Sequence, residues 1–298
     1  MLKKFKALWE LMRLEHGIMI FIAIFIGAFI ALGGKRIPPI DKVILTFFTA
    51  LFLEVSTFAL NDYYDLEIDR KNKRYDRPLV RGDLAPKTAV SVFLILFPLG
   101  IICSFFVNLT CFIIALITAL LAILYDAKMK KLKLLGNFYI AYTMAIPFIF
   151  GGATVIEGYS LKFVIHPAIY ILALIAFLAG SGREIMKDVM DYTGDRRRGV
   201  KSFPRYIGIR WSNISAALFT IFAIILSFIP FFVNKYDMYY LNYYYLLLVL
   251  ITDTMLLGVS FNLIFKKKIE EIQMKRYRRL TLIAIFIGLL AFLFGTFT

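Results

Sequence analysis

The chain has 298 residues, 60% of them hydrophobic and 16% aromatic, with a mean hydropathy of +0.77 and a formal net charge of +15. Soluble globular domains are only about 45–50% apolar, so this composition excludes an ordinary water-soluble fold. The positive charge does not call for a nucleic-acid partner, because it is spread along the chain as membrane topology requires.

Residues 1–14 place Leu2, Phe5, Leu8, Trp9 and Met12 at helical spacing, with Lys3, Lys4, Lys6 and Glu10 between them. That pattern predicts an interfacial helix, a surface anchor against the inner leaflet. Nine apolar runs follow, at about 17–33, 43–60, 88–107, 109–125, 138–156, 165–182, 212–233, 243–265 and 280–297. Each approaches the ~20 residues that cross a bilayer as a helix. The first run has a basic start but no small-residue cleavage site and is read as a span, not a removable signal. The expected fold is therefore an all-α, polytopic helical bundle forming one domain. With the N-terminus inside, 30 of the 35 Lys and Arg fall on the cytoplasmic side, in the N-terminus and in loops 61–87, 126–136, 183–211 and 266–279. That bias fixes the predicted orientation in the cell membrane.

His16 opens the first run, where a polar role near a site is open; His166 is isolated, so neither suggests a metal centre. Cys103 and Cys111 read as small packing residues. Glu54 lies inside the second run, two turns before Asn61 and Asp62, and Asp253 lies mid-way along the eighth. An ionisable residue at that depth is a functional candidate, the alternative being an interhelical hydrogen bond.

Directly after the second run comes "NDYYDLEID", residues 61–69, and after the sixth comes "REIMKDVMDYTGD", residues 183–195. Asp62, Asp65, Asp69 and Arg70 match Asp188, Asp191, Asp195 and Arg196 at a constant offset of 126, which also matches Pro78 to Pro204 and Gly82 to Gly208. Both clusters close outside-to-inside spans. Two parallel four-helix repeats follow, at about 15–136 and 137–265, with an extra helix at 280–298. At i, i+3 and i+7 the acids of each cluster share one helix face. Two facing acidic stripes repel unless cations intervene, and carboxylate oxygens suit Mg²⁺. The same loops carry Arg77, Arg81, Arg183 and Lys187 among many bases. Acids with bases at one membrane edge point to a cation-bridged polyanion such as a diphosphate.

Asn61, Asp62, Asp65 and Asp69 spell N-D-x-x-D-x-x-x-D, and Asp191 and Asp195 spell D-x-x-x-D. In this the chain resembles the UbiA superfamily of intramembrane prenyltransferases, as does "DRPLVRG" downstream of the first motif. Within it, Arg183, Glu184, Ile185, Lys187, Asp188, Asp191, Gly194 and Asp195 are most similar to the second motif of archaeal digeranylgeranylglyceryl phosphate synthases, with Met190 departing where an acid is common. The resemblance implies transfer of a prenyl group from its diphosphate to a lipid acceptor, in the membrane and without nucleic acid. It implies Mg²⁺ on Asp65, Asp69, Asp191 and Asp195, with Asn61, Asp62, Arg77, Arg81, Tyr125, Arg183, Lys187 and Asp188 on the substrates. Lys128 or Lys130 would add a charge from the third loop, "YDAKMKKLK". Glu54 is placed as a base on an acceptor hydroxyl or as an acceptor ligand. An aromatic prenyltransferase would share every diphosphate residue. A metal-ion or polyanion transporter should instead carry its ligands near the midplane.

Overall fold

The structure, a computed structural model, describes residues 2–297 apart from 15, 72, 128, 130–131, 158–165, 198 and 267–268. It is all-helical, with no strand among the described residues. In chain order the helices are α1 (Leu2–Met12), α2 (His16–Ala31), α3 (Ile40–Tyr64), α4 (Leu66–Lys71), α5 (Pro78–Arg81), α6 (Pro86–Val107), α7 (Leu109–Ala127), α8 (Lys133–Thr154), α9 (Pro167–Arg197), α10 (Phe203–Ser227), α11 (Ile229–Phe232), α12 (Tyr243–Phe265) and α13 (Glu271–Phe297), with a 3-10 turn at Asn234–Tyr239.

Among the described residues, eight helices are long and apolar enough to span a bilayer, and α2 becomes a ninth when taken with α1. The chain is a multi-pass membrane protein. Large apolar side chains such as Leu94, Phe106 and Phe222 stand exposed on its outer faces, as a hydrocarbon solvent permits. Cys103 and Cys111 are free thiols.

Burial orders the bundle. Over its most apolar stretch α9 is 67% buried and α6 only 17%, so α9 is the central post and α6 a lipid-facing wall. The centre closes because α2 and α8 cross almost backbone to backbone. A Cβ built at Gly27 would run into the Phe148 carbonyl, and one at Gly151 into the Ile24 carbonyl. Without a hydrophobic drive between helices in lipid, such small-residue crossings provide the dispersion contact that holds spans together.

α3 packs chiefly on α6, and α9 on α10. These pairs correspond at the offset of 126. Pro78 and Pro204 each sit in the first turn of a helix, and Gly82 and Gly208 both take left-handed φ, 78° and 79°. At those two positions a side chain would be strained, which explains the glycines. We take the two repeats as a proposal that these paired features support.

Candidate active site

The first motif sits where α3 gives way to α4. The expected unbroken stripe is interrupted: Asp65 is the junction residue, with φ −86° and ψ −6°. Its N–H still donates to the Asn61 carbonyl at 3.0 Å, and the Asp69 N–H to the Asp65 carbonyl at 2.8 Å. The i→i−4 spacing survives, so the acids keep their register through the break. The second motif lies wholly within α9, which stays helical to Arg197. The motif acids thus lie on helices, as their i, i+3, i+7 spacing predicts, within the connections that topology reads as cytoplasmic loops.

In both motifs the outer acids are buried and the middle acid is half-buried. Asp62 and Asp69 are sealed, as are Asp188 and Asp195, whereas Asp65 and Asp191 lie nearer the surface. A buried carboxylate needs a counter-charge or donors. Asp62 has two guanidiniums: Arg13 donates to Oδ1 at 2.8 Å, and Arg77 bonds the same oxygen. Arg77 Nε also stands 3.6 Å from Asp69. Burial, and then the neighbouring Arg13 charge, push the Arg77 guanidinium down to about 10. Arg13 lies over the Phe58 ring at 4.4 Å, a cation–π contact that fixes its position.

At the second motif one ammonium spans two acids. Lys133 Nζ is 2.6 Å from Asp195 Oδ2 and 3.4 Å from Asp188 Oδ1. Asn137 Nδ2 donates to Asp188 Oδ2 at 2.8 Å, and the Phe203 N–H reaches the same oxygen at 3.3 Å. Lys133 and Asn137 are one turn apart at the start of α8, so this turn of helix is built against the second motif.

Arg74 is raised first by its hydrogen bonds to Asp76, at 2.9 and 2.8 Å, and only then by the more distant charges of Asp69 and Asp191. The Tyr125 ring lies against Gly136, between Lys133 and Asn137 on α8. Tyr125 stacks on Tyr139 at 4.8 Å, and Tyr139 on Tyr142 at 6.4 Å. An aromatic wall of Tyr125, Tyr139 and Tyr142 therefore starts beside the residues that hold the second motif. Glu54 lies 3.6 Å from His16 Nδ1.

Other expected residues are placed differently. Arg81 pairs with Asp83 at 2.7 Å and with Glu10, and caps the Tyr75 carbonyl at 3.0 Å. It clamps the loop to α1 and does not reach the acids through these bonds. Arg183 at 3.1 Å and Lys187 at 3.0 Å flank Glu184. Asn61 is half-buried at the end of α3. Asp253 accepts from Ser227 Oγ at 2.7 Å between α10 and α12, the interhelical hydrogen bond allowed for it. Lys128 and Lys130 lie outside the described residues.

Sequence reasoning missed Arg13, Lys133 and Asn137. Lys133 stood in the quoted third loop. Arg13 carried no signal beyond α1, which was read as a surface anchor. In the structure α1 turns Ala7 and Leu11 inward against Ala59, Leu66 and Leu79, while Phe5 and Trp9 stay exposed. Lys3 Nζ adds an ion pair to Asp83 at 3.0 Å. The helix is thus a staple over the first-motif loop as well as an apolar ridge.

Among the described residues, no three of His, Cys, Asp and Glu converge as a ready-made metal cage. The donor set still fits Mg²⁺, which usually takes one or two carboxylates, keeps several waters and completes its shell with substrate phosphate. The half-buried Asp65 and Asp191 are carboxylates of that kind.

A family model described as the UbiA prenyltransferase family matches residues 20–277. A digeranylgeranylglyceryl phosphate synthase of Archaeoglobus fulgidus is 40% identical over 292 residues, 98% of this chain and 96% of the relative. A solved structure described as concerning digeranylgeranylglyceryl phosphate synthase in membranes superposes with a TM-score of 0.77 at 33% identity, covering 99% of both chains. A UbiA homologue from Archaeoglobus fulgidus, solved with DMAPP and Mg²⁺, has the same fold with a TM-score of 0.56 at 14% identity, covering 96% of this chain and 98% of that one.

Proposed function

The chain belongs to the UbiA prenyltransferase family, and from that premise we propose that it joins a geranylgeranyl group to the free hydroxyl of geranylgeranylglyceryl phosphate, forming an ether lipid precursor. The observation that carries this reading is the matched pair of acid motifs, each with its two outer acids buried against a shared cation and its middle acid half-buried. The 40% identical relative supports the acceptor.

Asp65, Asp69, Asp191 and Asp195 would hold Mg²⁺, whose Lewis acidity neutralises charge on a departing diphosphate. The remaining work falls to the chain. Arg77 and Lys133 stand beside the motif acids and would move their donors onto diphosphate oxygens as charge-assisted hydrogen bonds. The bond between C1 of the prenyl group and its diphosphate oxygen breaks, and the diphosphate keeps the electron pair. The acceptor hydroxyl oxygen forms the new C–O bond to C1, and its proton leaves to Glu54. Positive charge developing at C1 is shielded by the Tyr125 and Tyr139 faces, at about 0.5–2 kcal/mol each. Helix walls exclude water that would otherwise capture the cation. A preorganised donor in such a site is worth roughly 3–4 kcal/mol of barrier. The placement of the acids at a helix end lets the diphosphate stay polar-solvated while its hydrocarbon tail lies among the spans. With the basic loops on the cytoplasmic side, that end faces the cytoplasm.

Purified protein supplied with geranylgeranyl diphosphate, Mg²⁺ and geranylgeranylglyceryl phosphate is expected to yield a digeranylgeranyl ether by mass spectrometry, and EDTA to abolish it. A prenylated hydroxybenzoate in a parallel tube, with no ether, would overturn the acceptor assignment.

A further inference from the structure

A second polar–apolar site lies away from the acid motifs. Between α12 and α13 runs a groove of about 410 Å³. Its floor is apolar, with Met255, Val259 and Leu280; its mouth carries Lys266 and Arg276, and no carboxylate lines it among the described residues. Lys266 Nζ is 3.3 Å from the Tyr277 hydroxyl, which aims the ammonium across the mouth. The groove is open beside Gly258, where a Cβ would meet nothing within 4 Å. Along the same helix Leu257, Phe261 and Phe265 are exposed, at 46%, 62% and 64%, so α12 presents a hydrocarbon-facing side next to the groove. Val259 also lines a small cavity with Arg183 and Met186, so the groove backs onto the motif-bearing α9.

We propose that this groove binds one anionic phospholipid, its phosphate on Lys266 and Arg276 and a hydrocarbon chain along Gly258 and Val259. Cations at the mouth match a phosphate, and the apolar floor matches a chain; a free phosphate would use only the first. Basic pockets between spans at the cytoplasmic side recognise anionic head groups on these terms. The site is independent of the prenyl-transfer reading, since it contains none of the residues that reading uses.

The test is native mass spectrometry of the full-length protein in detergent, titrated with phosphatidylglycerol, with phosphatidylcholine of the same chains, and with inorganic phosphate as competitor. One retained phosphatidylglycerol is expected, with at least a tenfold preference over phosphatidylcholine. Two variants approach the site differently: K266Q/R276Q removes the charges, and Gly258→Phe fills the groove with the charges intact. Each is expected to weaken the retained lipid at least tenfold while leaving melting temperature and prenyl transfer unchanged. Equal retention of the two lipids, or retention unaffected by either variant, would overturn the proposal. So would competition by millimolar phosphate with Gly258→Phe neutral, which would mean a surface ion pair only.

Discussion

The two acid motifs have the same spacing, Asp62, Asp65, Asp69 against Asp188, Asp191, Asp195, and in each one cation spans the outer pair, Arg77 at the first and Lys133 at the second, but the rest of the support differs. At the first, one carboxylate draws two guanidiniums, Arg13 and Arg77, from separate elements, and the helix breaks at Asp65. At the second, one ammonium, Lys133, draws two carboxylates on an unbroken helix. The acid spacing is thus common to both halves, while the cations are particular to each. This is the pattern expected if the acids meet one shared ligand while each half supplies its own cation beside them. A forked, delocalised guanidinium suits bonds from several directions, and a compact ammonium suits a pocket between two close oxygens.

The comparison is broken most strongly by removing the middle acids. Asp65→Asn and Asp191→Asn are each expected to lower kcat/KM by about 10³-fold, near the value of a lost electrostatic stabiliser. Near-native melting temperatures should accompany the loss, because neither acid is buried like its neighbours. Product formation against time by mass spectrometry checks this, and a loss at one motif alone would deny their equivalence.

The cations should then part company. Lys133→Gln leaves Asp188 and Asp195 without the charge that bridges them, and is expected to cost about 3 kcal/mol, the low end for a broken buried pair. Arg13→Gln leaves Asp62 its bond to Arg77, and is expected to cost only about 1 kcal/mol. Thermal melts in detergent compare the two; equal losses would remove the distinction drawn between the motifs. In the same variants Arg13→Gln should raise KM for the diphosphate a few-fold with little change in kcat, since Arg13 positions Asp62.

The smallest effect concerns the staple that brings Arg13 to its place. Hydrogen bonds from Arg81 and then Lys3 hold the half-buried Asp83 carboxyl below its ordinary range. A depressed carboxylate gives its stabilisation above its unfolded pKa of about 3.9 and loses it as pH falls through the lower folded value. Amide exchange along α1 is therefore expected to be flat from about pH 5 to pH 8 once corrected for intrinsic rates, and to quicken below about pH 4. Faster exchange already at pH 6 would show that other groups hold the helix.

Much of this was legible in the sequence. Long apolar runs announce spans because a bilayer requires unbroken hydrocarbon, and the acid register survives even the break at Asp65. The matched Gly82 and Gly208 had a backbone reason that the chain itself displays, a shared left-handed φ. The partners were not legible. Arg13 meets Asp62 across 49 positions, Asn137 meets Asp188 across 51, and Lys133 meets Asp195 across 62. Local periodicity carries no information over such separations. The same limit explains α1: an amphipathic pattern says that one face leaves water, but not whether lipid or protein receives it. Here Phe5 and Trp9 face outward while Ala7 and Leu11 meet the first-motif loop.

The central claim is that both motifs hold one diphosphate. A double-mutant cycle on binding tests it most directly. The affinity of a non-reacting geranylgeranyl thiodiphosphate with Mg²⁺ would be measured for the wild type, Asp65→Asn, Asp191→Asn and the double variant. Each single change is expected to weaken binding by roughly 10- to 100-fold, about 1.4–2.7 kcal/mol, and the double to add little to the worse single. Losses that simply multiply would mean two independent sites, and would contradict the account.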